Sequence, residues 1–168
     1  MTRSFELYLI RHGLAEDDGD AWPDDAKRPL TEEGMARLRK IARSLAALDV
    51  SLDVVLTSPL VRTRQTAEII AAAFGPRPAI VAVDALAPGG AHQAVLTELE
   101  KHTRKTRIGL VGHEPGIGEL AAKLIGMRQP LEFKKGAVCR IDLSALPPTG
   151  PGSLRWFATP RMLRNIKR

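Results

Sequence analysis

The chain has 168 residues, 44% of them hydrophobic and 26% charged, a composition ordinary for a globular protein and a length that suits one domain with a buried core. No run approaches the roughly 20 apolar residues needed to span a bilayer. The net charge of +6 raises the question of nucleic acid, but aromatics are only 4% and neither zinc-finger spacing nor an RNP-like motif is present, so a positive field that attracts phosphorylated partners suits the composition at least as well.

In chain order, Met1-Thr2-Arg3-Ser4 leads straight into a first strand, which leaves no room for a secretory signal. Phe5 to Ile10 is short, continuous and rich in β-formers, as a buried strand is. Arg11-His12-Gly13 follows at its carboxyl end, where open α/β sheets bind ligands, with Gly13 allowing a tight exit. Thr31 can cap a helix that has Glu32 and Glu33 in its first turn and Met35, Leu38, Ile41, Ala42 and Leu45 at helical spacing. A second strand, residues 52–56, runs into Thr57-Ser58-Pro59 and a helix over 61–73 that carries Arg62 near its start and Arg64 on its surface.

Residues 79–83 read as a third strand and 91–101 as a helix with Ala94, Val95 and Leu99 inward. On that helix His92 and His102 fall on different faces and are read as surface residues, with no metal-ligand spacing between them. A strand at 106–111 enters Gly112-His113-Glu114-Pro115-Gly116, and a helix over 118–124 stops at Gly126. The tail changes character: 137–143 and 154–158 read as strands joined by a hairpin-like Pro/Gly loop at 147–152. Cys139, the only cysteine, reads as a small buried hydrophobe, forms no intrachain disulfide and suits a cytoplasmic location. Arg155, Arg161, Arg164, Lys167 and Arg168 close the chain with no acidic residue after Asp142.

Strands alternating with helices predict an α/β fold in three layers, a mainly parallel sheet flanked by helices, with residues 1–168 as a single domain. Three of the strands end in cationic or imidazole side chains, the equipment needed to hold a phosphoryl dianion. Arginine offers a planar two-pronged contact, and a histidine pinned through one ring nitrogen can attack through the other.

Arg11-His12-Gly13, Arg28-Pro29-Leu30-Thr31, Ser58-Pro59 ahead of Arg62, and Gly112-His113-Glu114-Pro115-Gly116, in this order, resemble the histidine phosphatase superfamily, which also holds the phosphoglycerate mutases. The details are most similar to its small SixA-type phosphohistidine phosphatase branch, from about residue 7 to residue 163. The resemblance implies a phosphoglycerate-mutase-like fold without long insertions, His12 as nucleophile, and Arg11, Arg62 and His113 as the phosphate pocket. Arg28 is placed near the pocket rim, with a solvated loop position as its alternative. A phosphohistidine on His12, hydrolysed by water, is the implied intermediate, and no cofactor or metal is implied.

The implied partner is a phosphohistidine-bearing protein such as a phosphotransfer domain. A small-molecule phosphomonoesterase using the same residues, or a non-catalytic phospho-ligand module, are the alternatives, and mutase activity is the least favoured. Mutase-like relatives place an acidic residue just after the third strand. Here that stretch is Leu86-Ala87-Pro88-Gly89-Gly90, so the general acid is left open, with Asp84 a weak candidate and Glu114 another. Without an acid an alkoxide leaves poorly, whereas a suitably protonated imidazole leaves as a neutral molecule.

Overall fold

A computed structural model describes residues 3–167; Met1 and Thr2, part of the leader expectation, and Arg168 lie outside the described residues. Six strands form one sheet: β1 Phe5–Arg11, β2 Val54–Thr57, β3 Ala79–Ala82, β4 Arg107–Gly112, β5 Val138–Leu143 and β6 Ser153–Ala158. Their order is β3-β2-β4-β1-β5-β6, parallel from β3 to β1 and antiparallel from β1 through β6. Helices α1 Glu32–Ala47, α2 Val61–Ala71, α3 His92–Glu100, α4 Gly116–Ile125 and α5 Pro160–Arg164 flank it. This is the expected three-layer arrangement of a mainly parallel sheet flanked by helices, with β5 alone running against the other strands.

The pleat of β1 explains the two cores. Leu7 and Leu9 point to one face and join Leu56, Leu110, Leu120 and Phe133; Tyr8 and Ile10 point to the other and join Leu38, Ile41, Val55 and Ile70. Both faces of the central strands are therefore apolar, which is why their sequences run hydrophobic without alternating. The outer strand β3 stays partly exposed.

Several boundaries depart from expectation. In α3 the inward residues are Val95 and Leu99 with half-buried His92 and Leu96, while Ala94 is exposed. The i, i+3, i+4, i+7 set starting at His92 covers the sheet, and Ala94 lies outside that stripe. Helix α4 starts two residues earlier than expected and ends at Gly126, whose φ of 73° is the left-handed conformation glycine favours. The sequence reading did not include α5, although Thr159 caps it and Pro160 occupies its first turn.

The register positions the site. Arg11 at the end of β1 lies beside Gly112 at the end of β4, and Thr57 at the end of β2 lies beside Val111. Three segments far apart in sequence thus leave the sheet at adjacent points along its carboxyl edge.

Candidate active site

His12, Arg62 and His113 are each 5% exposed or less, an unusual burial for such polar side chains. The His12 and His113 rings stand 5.2 Å apart, centroid to centroid. His12 Nδ1 lies 2.7 Å from the Gly13 carbonyl oxygen. A carbonyl only accepts, so Nδ1 carries the proton and the neutral ring keeps its lone pair on Nε2.

Burial pushes the His12 pKa down to about 3, with His113, Arg62 and Arg11 adding repulsion against the opposing Gly13 hydrogen bond. Burial likewise lowers His113 to about 4, helped by Arg62, Arg11 and Arg28 and opposed by Asp25. Both rings are neutral near pH 7, and His12 holds a free nucleophilic nitrogen.

Gly13 earns its place by size rather than by unusual φ. A Cβ there would sit 2.6 Å from Leu38 Cδ1, so the chain leaves β1 pressed against α1. Its N–H donates to Thr66 Oγ1 in α2 at 3.2 Å, and Leu30 N–H donates to Gln65 Oε1 at 2.8 Å. One helix therefore presents Arg62 and fixes the loops on both sides of it.

Arg11 donates through Nη1 to the Phe133 carbonyl at 2.7 Å. Gly136 N–H, three residues on, donates to the carbonyls of Arg11 and His12 at 3.1 and 3.0 Å. Phe133 is fully buried and meets Phe157 edge-on at 4.9 Å, so a rigid loop aims the guanidinium. His113 Nε2 lies 2.8 Å from Ser58 Oγ, which gives Ser58 a direct part in the site.

Four buried side-chain polar atoms among the described residues lack a protein partner, and three of them are Arg11 Nε, Arg62 Nε and His113 Nδ1. Uncompensated burial of such groups costs roughly 1–3 kcal/mol each. A phosphoryl group, with several acceptor oxygens and a double charge, has the chemistry to satisfy them together.

Asp25, absent from the sequence reading, organises the cations. Its backbone carbonyl accepts from Arg62 Nη1 at 2.8 Å and its Oδ2 from Arg62 Nη2 at 2.9 Å. Its Oδ1 accepts from Arg28 Nε and Nη2 at 3.0 and 2.8 Å. Hydrogen bonds from Arg28 and then Arg62 hold this carboxyl below the usual range despite some desolvation. Arg28 Nη1 reaches the Glu16 carbonyl at 2.7 Å, so this guanidinium backs Asp25 and bears on His113 through its field. The available signal was the acid three residues before Arg28 in Asp25-Ala26-Lys27-Arg28.

Neither acid candidate is free at the centre. Glu114 accepts through Oε1 from Gly118 N–H at 2.8 Å and through Oε2 from Phe133 N–H at 3.4 Å, tying α4 to the Phe133 loop. Asp84 is exposed and lines a separate groove with Glu98 and Lys101. His92 and His102, expected as surface residues of one helix, are both partly buried, and only His92 lies within α3. His92 is half-buried 3.7 Å from Glu119 in a cavity of about 310 Å³ beside His113, and His102 lies beyond the end of α3, 3.5 Å from Glu98.

Burial pushes the Cys139 thiol up to about 12, as suits a core residue. Arg155, grouped by sequence with the unpaired tail, instead donates to Asp142 across the β5–β6 pair at 2.8 Å. Among the described residues no helix is long and apolar enough to cross a membrane.

Comparison with known proteins identifies the family. The family model of the histidine phosphatase superfamily (branch 1) matches residues 7–87. An uncharacterized protein of Picosynechococcus sp. (strain PCC 7002) is 44% identical over 119 residues, 69% of this chain and 70% of that one. The phosphohistidine phosphatase SixA of Escherichia coli K12 is 27% identical over 164 residues, 96% of this chain and 98% of that one. A structure of the protein histidine phosphatase SixA complexed with tungstate superposes with a TM-score of 0.83 at 27% identity, covering 94% of this chain and 98% of that chain. The chain belongs to the histidine phosphatase superfamily and is of the SixA type.

Proposed function

We propose that this member of the histidine phosphatase superfamily removes phosphoryl groups from phosphohistidine on a partner protein, through a covalent phosphohistidine on His12. The observation that carries the reading is the His12 Nδ1–Gly13 contact at 2.7 Å, which leaves Nε2 as the attacking atom beside three unpartnered donors. Nε2 bonds to phosphorus as the bond to the substrate imidazole breaks. Arg11, Arg62 and His113 take the charge that spreads over the phosphoryl oxygens. Water then attacks the phosphohistidine, inorganic phosphate leaves, and His12 returns to its neutral tautomer with Nδ1 still held by Gly13.

The leaving group separates this substrate from ordinary phosphate esters. Of the two acid candidates, Glu114 accepts from backbone N–H groups through both oxygens and Asp84 lies in another groove, so neither is placed to protonate an alkoxide. An imidazole protonated at its distal nitrogen departs neutral and needs no such help. The relatives named for phosphohistidine phosphatase activity support the same choice. The positive charge of the site comes from Arg11 and Arg62, and the reaction so written uses no cofactor.

The cavity of about 310 Å³ beside His113 favours one alternative, a small phosphomonoester whose leaving group lodges there. Turnover compared across a phosphohistidine protein, an aryl phosphate and an alkyl phosphate separates the two. Phosphohistidine is expected first by a wide margin; an alkyl phosphate in that place establishes the phosphomonoesterase.

A further inference from the structure

A second hollow opens on the other flank of the site, at Arg11, and its character is different. It measures about 380 Å³ and its charged lining is Arg11, Arg37, Lys134, Lys135, Arg161 and Arg164, with no carboxylate and no aromatic ring. Arg37 pairs with Glu33 on its own helix. Lys134, Lys135, Arg161 and Arg164 form no ion pair with any described residue. Arg164 also lines an adjoining hollow with Lys40 and Arg43, which extends the positive surface along α1.

These cations ride on fixed supports. Leu163 is fully buried against α1, Ser44 Oγ donates to its carbonyl at 2.5 Å, and Thr159 caps the helix that carries Arg161 and Arg164. Lys134 and Lys135 sit between Phe133, whose carbonyl holds Arg11, and Gly136, whose N–H holds the Arg11 and His12 carbonyls. A merely solvated face would mix signs, because like charges held together repel and destabilise the fold. Here four cations with no ion-pair partner among the described residues are carried on anchored segments beside Arg11.

We propose that this groove is the docking surface for an acidic face of the protein that carries the phosphohistidine. The inference rests on the function proposed above and adds how the partner is recognised. Because Arg11 belongs both to the phosphate site and to the groove, whatever fills the groove is continuous with the group presented to His12. A protein bearing the phosphohistidine must rest its surrounding surface near the site, and every charged side chain lining this groove is a cation. The lining has no aromatic platform on which the bases of a single strand would stack. Complementary charge of this kind speeds encounter and sets orientation, and salt weakens it.

The test uses the full chain and synthetic phosphohistidine peptides whose flanking residues are either glutamate or glutamine. The glutamate peptide is expected to show a kcat/KM about tenfold higher at low salt, with the advantage vanishing at high salt. Arg161→Glu with Arg164→Glu should remove the preference while leaving nitrophenyl phosphate hydrolysis unchanged. Lys134→Glu with Lys135→Glu, on a separate segment, should do the same and serves as a second readout if the first pair disturbs α5. Equal turnover of the two peptides, with nitrophenyl phosphate still hydrolysed, overturns the docking surface and leaves the phosphatase reading intact. Failure to hydrolyse any of the substrates overturns the phosphatase reading itself. Stronger inhibition by a short DNA duplex than by the glutamate peptide reassigns the groove to nucleic acid and overturns the proposal.

Discussion

Asp25 grips Arg62 twice, through its backbone carbonyl at 2.8 Å and its carboxylate at 2.9 Å, across 37 residues of sequence. The guanidinium is thereby fixed in plane with its Nε unpaired, and the same carboxylate steers Arg28. Asp25→Ala keeps the carbonyl contact and removes the steering. It should lower kcat/KM roughly tenfold, about 1.4 kcal/mol of transition-state stabilisation. Asp25→Asn keeps one acceptor oxygen but turns an amide NH2 toward the other guanidinium, so it should recover only part of the loss. Steady-state kinetics on an aryl phosphate decide it, and an unchanged Asp25→Ala rate would show that Arg62 is held without it.

Arg62→Lys keeps the charge and loses the fork. Arg62 contacts Asp25 through two nitrogens and has a third unpaired, a pattern that a lysine ammonium cannot copy. A fall of about tenfold or more in kcat/KM is expected. Wild-type efficiency in this variant would mean the two-pronged geometry is dispensable.

His12→Ala should end turnover while phosphate or vanadate still binds, because Arg11, Arg62 and His113 remain. Calorimetry measures the binding and acid-labile phosphate on the protein measures the intermediate. A residual rate above a few per cent of wild type removes His12 from the role of nucleophile.

Stability should fall as pH drops below about 6.5. The His12 and His113 pKa values are depressed to about 3 and about 4 in the fold, whereas an exposed histidine titrates near 6.5. Between those values the unfolded chain binds more protons than the folded one, so acid favours unfolding. Each histidine contributes at most about 1.4 kcal/mol per pH unit within its own window. Urea denaturation at several pH values gives the slope, which should be shallower in His12→Ala. Identical slopes for the two proteins would show that His12 is not depressed.

Rates should fall steeply as the leaving group becomes more basic. Asp84 is exposed in a groove apart from the cavity beside His113, so Asp84→Asn should leave that dependence as it was. Single-turnover phosphate release over a series of phosphate esters provides the comparison. A flat series in the wild type that steepens only in Asp84→Asn identifies Asp84 as an acid and moves the assignment toward ester hydrolysis.

Local chemistry was enough to read the strands and the first helix, and to single out Arg11, His12, Arg62 and His113 as candidates. Hydrophobic runs and caps act over a few residues, and each candidate side chain lies just past a recognisable strand end. The same locality explains the misses. The phase of α3, which exposes Ala94 and tucks in His92, depends on where its neighbours leave room. Arg155 found Asp142 only because β5 and β6 pair. The register that sets Arg11 beside Gly112, the reach of Asp25 to Arg62, the Phe133 carbonyl that holds Arg11 from 122 residues away, and the gathering of Lys134 and Lys135 with Arg161 and Arg164 were decided by the tertiary structure alone. Contacts at such separations follow from strand order and loop closure, and they leave no period or spacing in the chain from which they could be read.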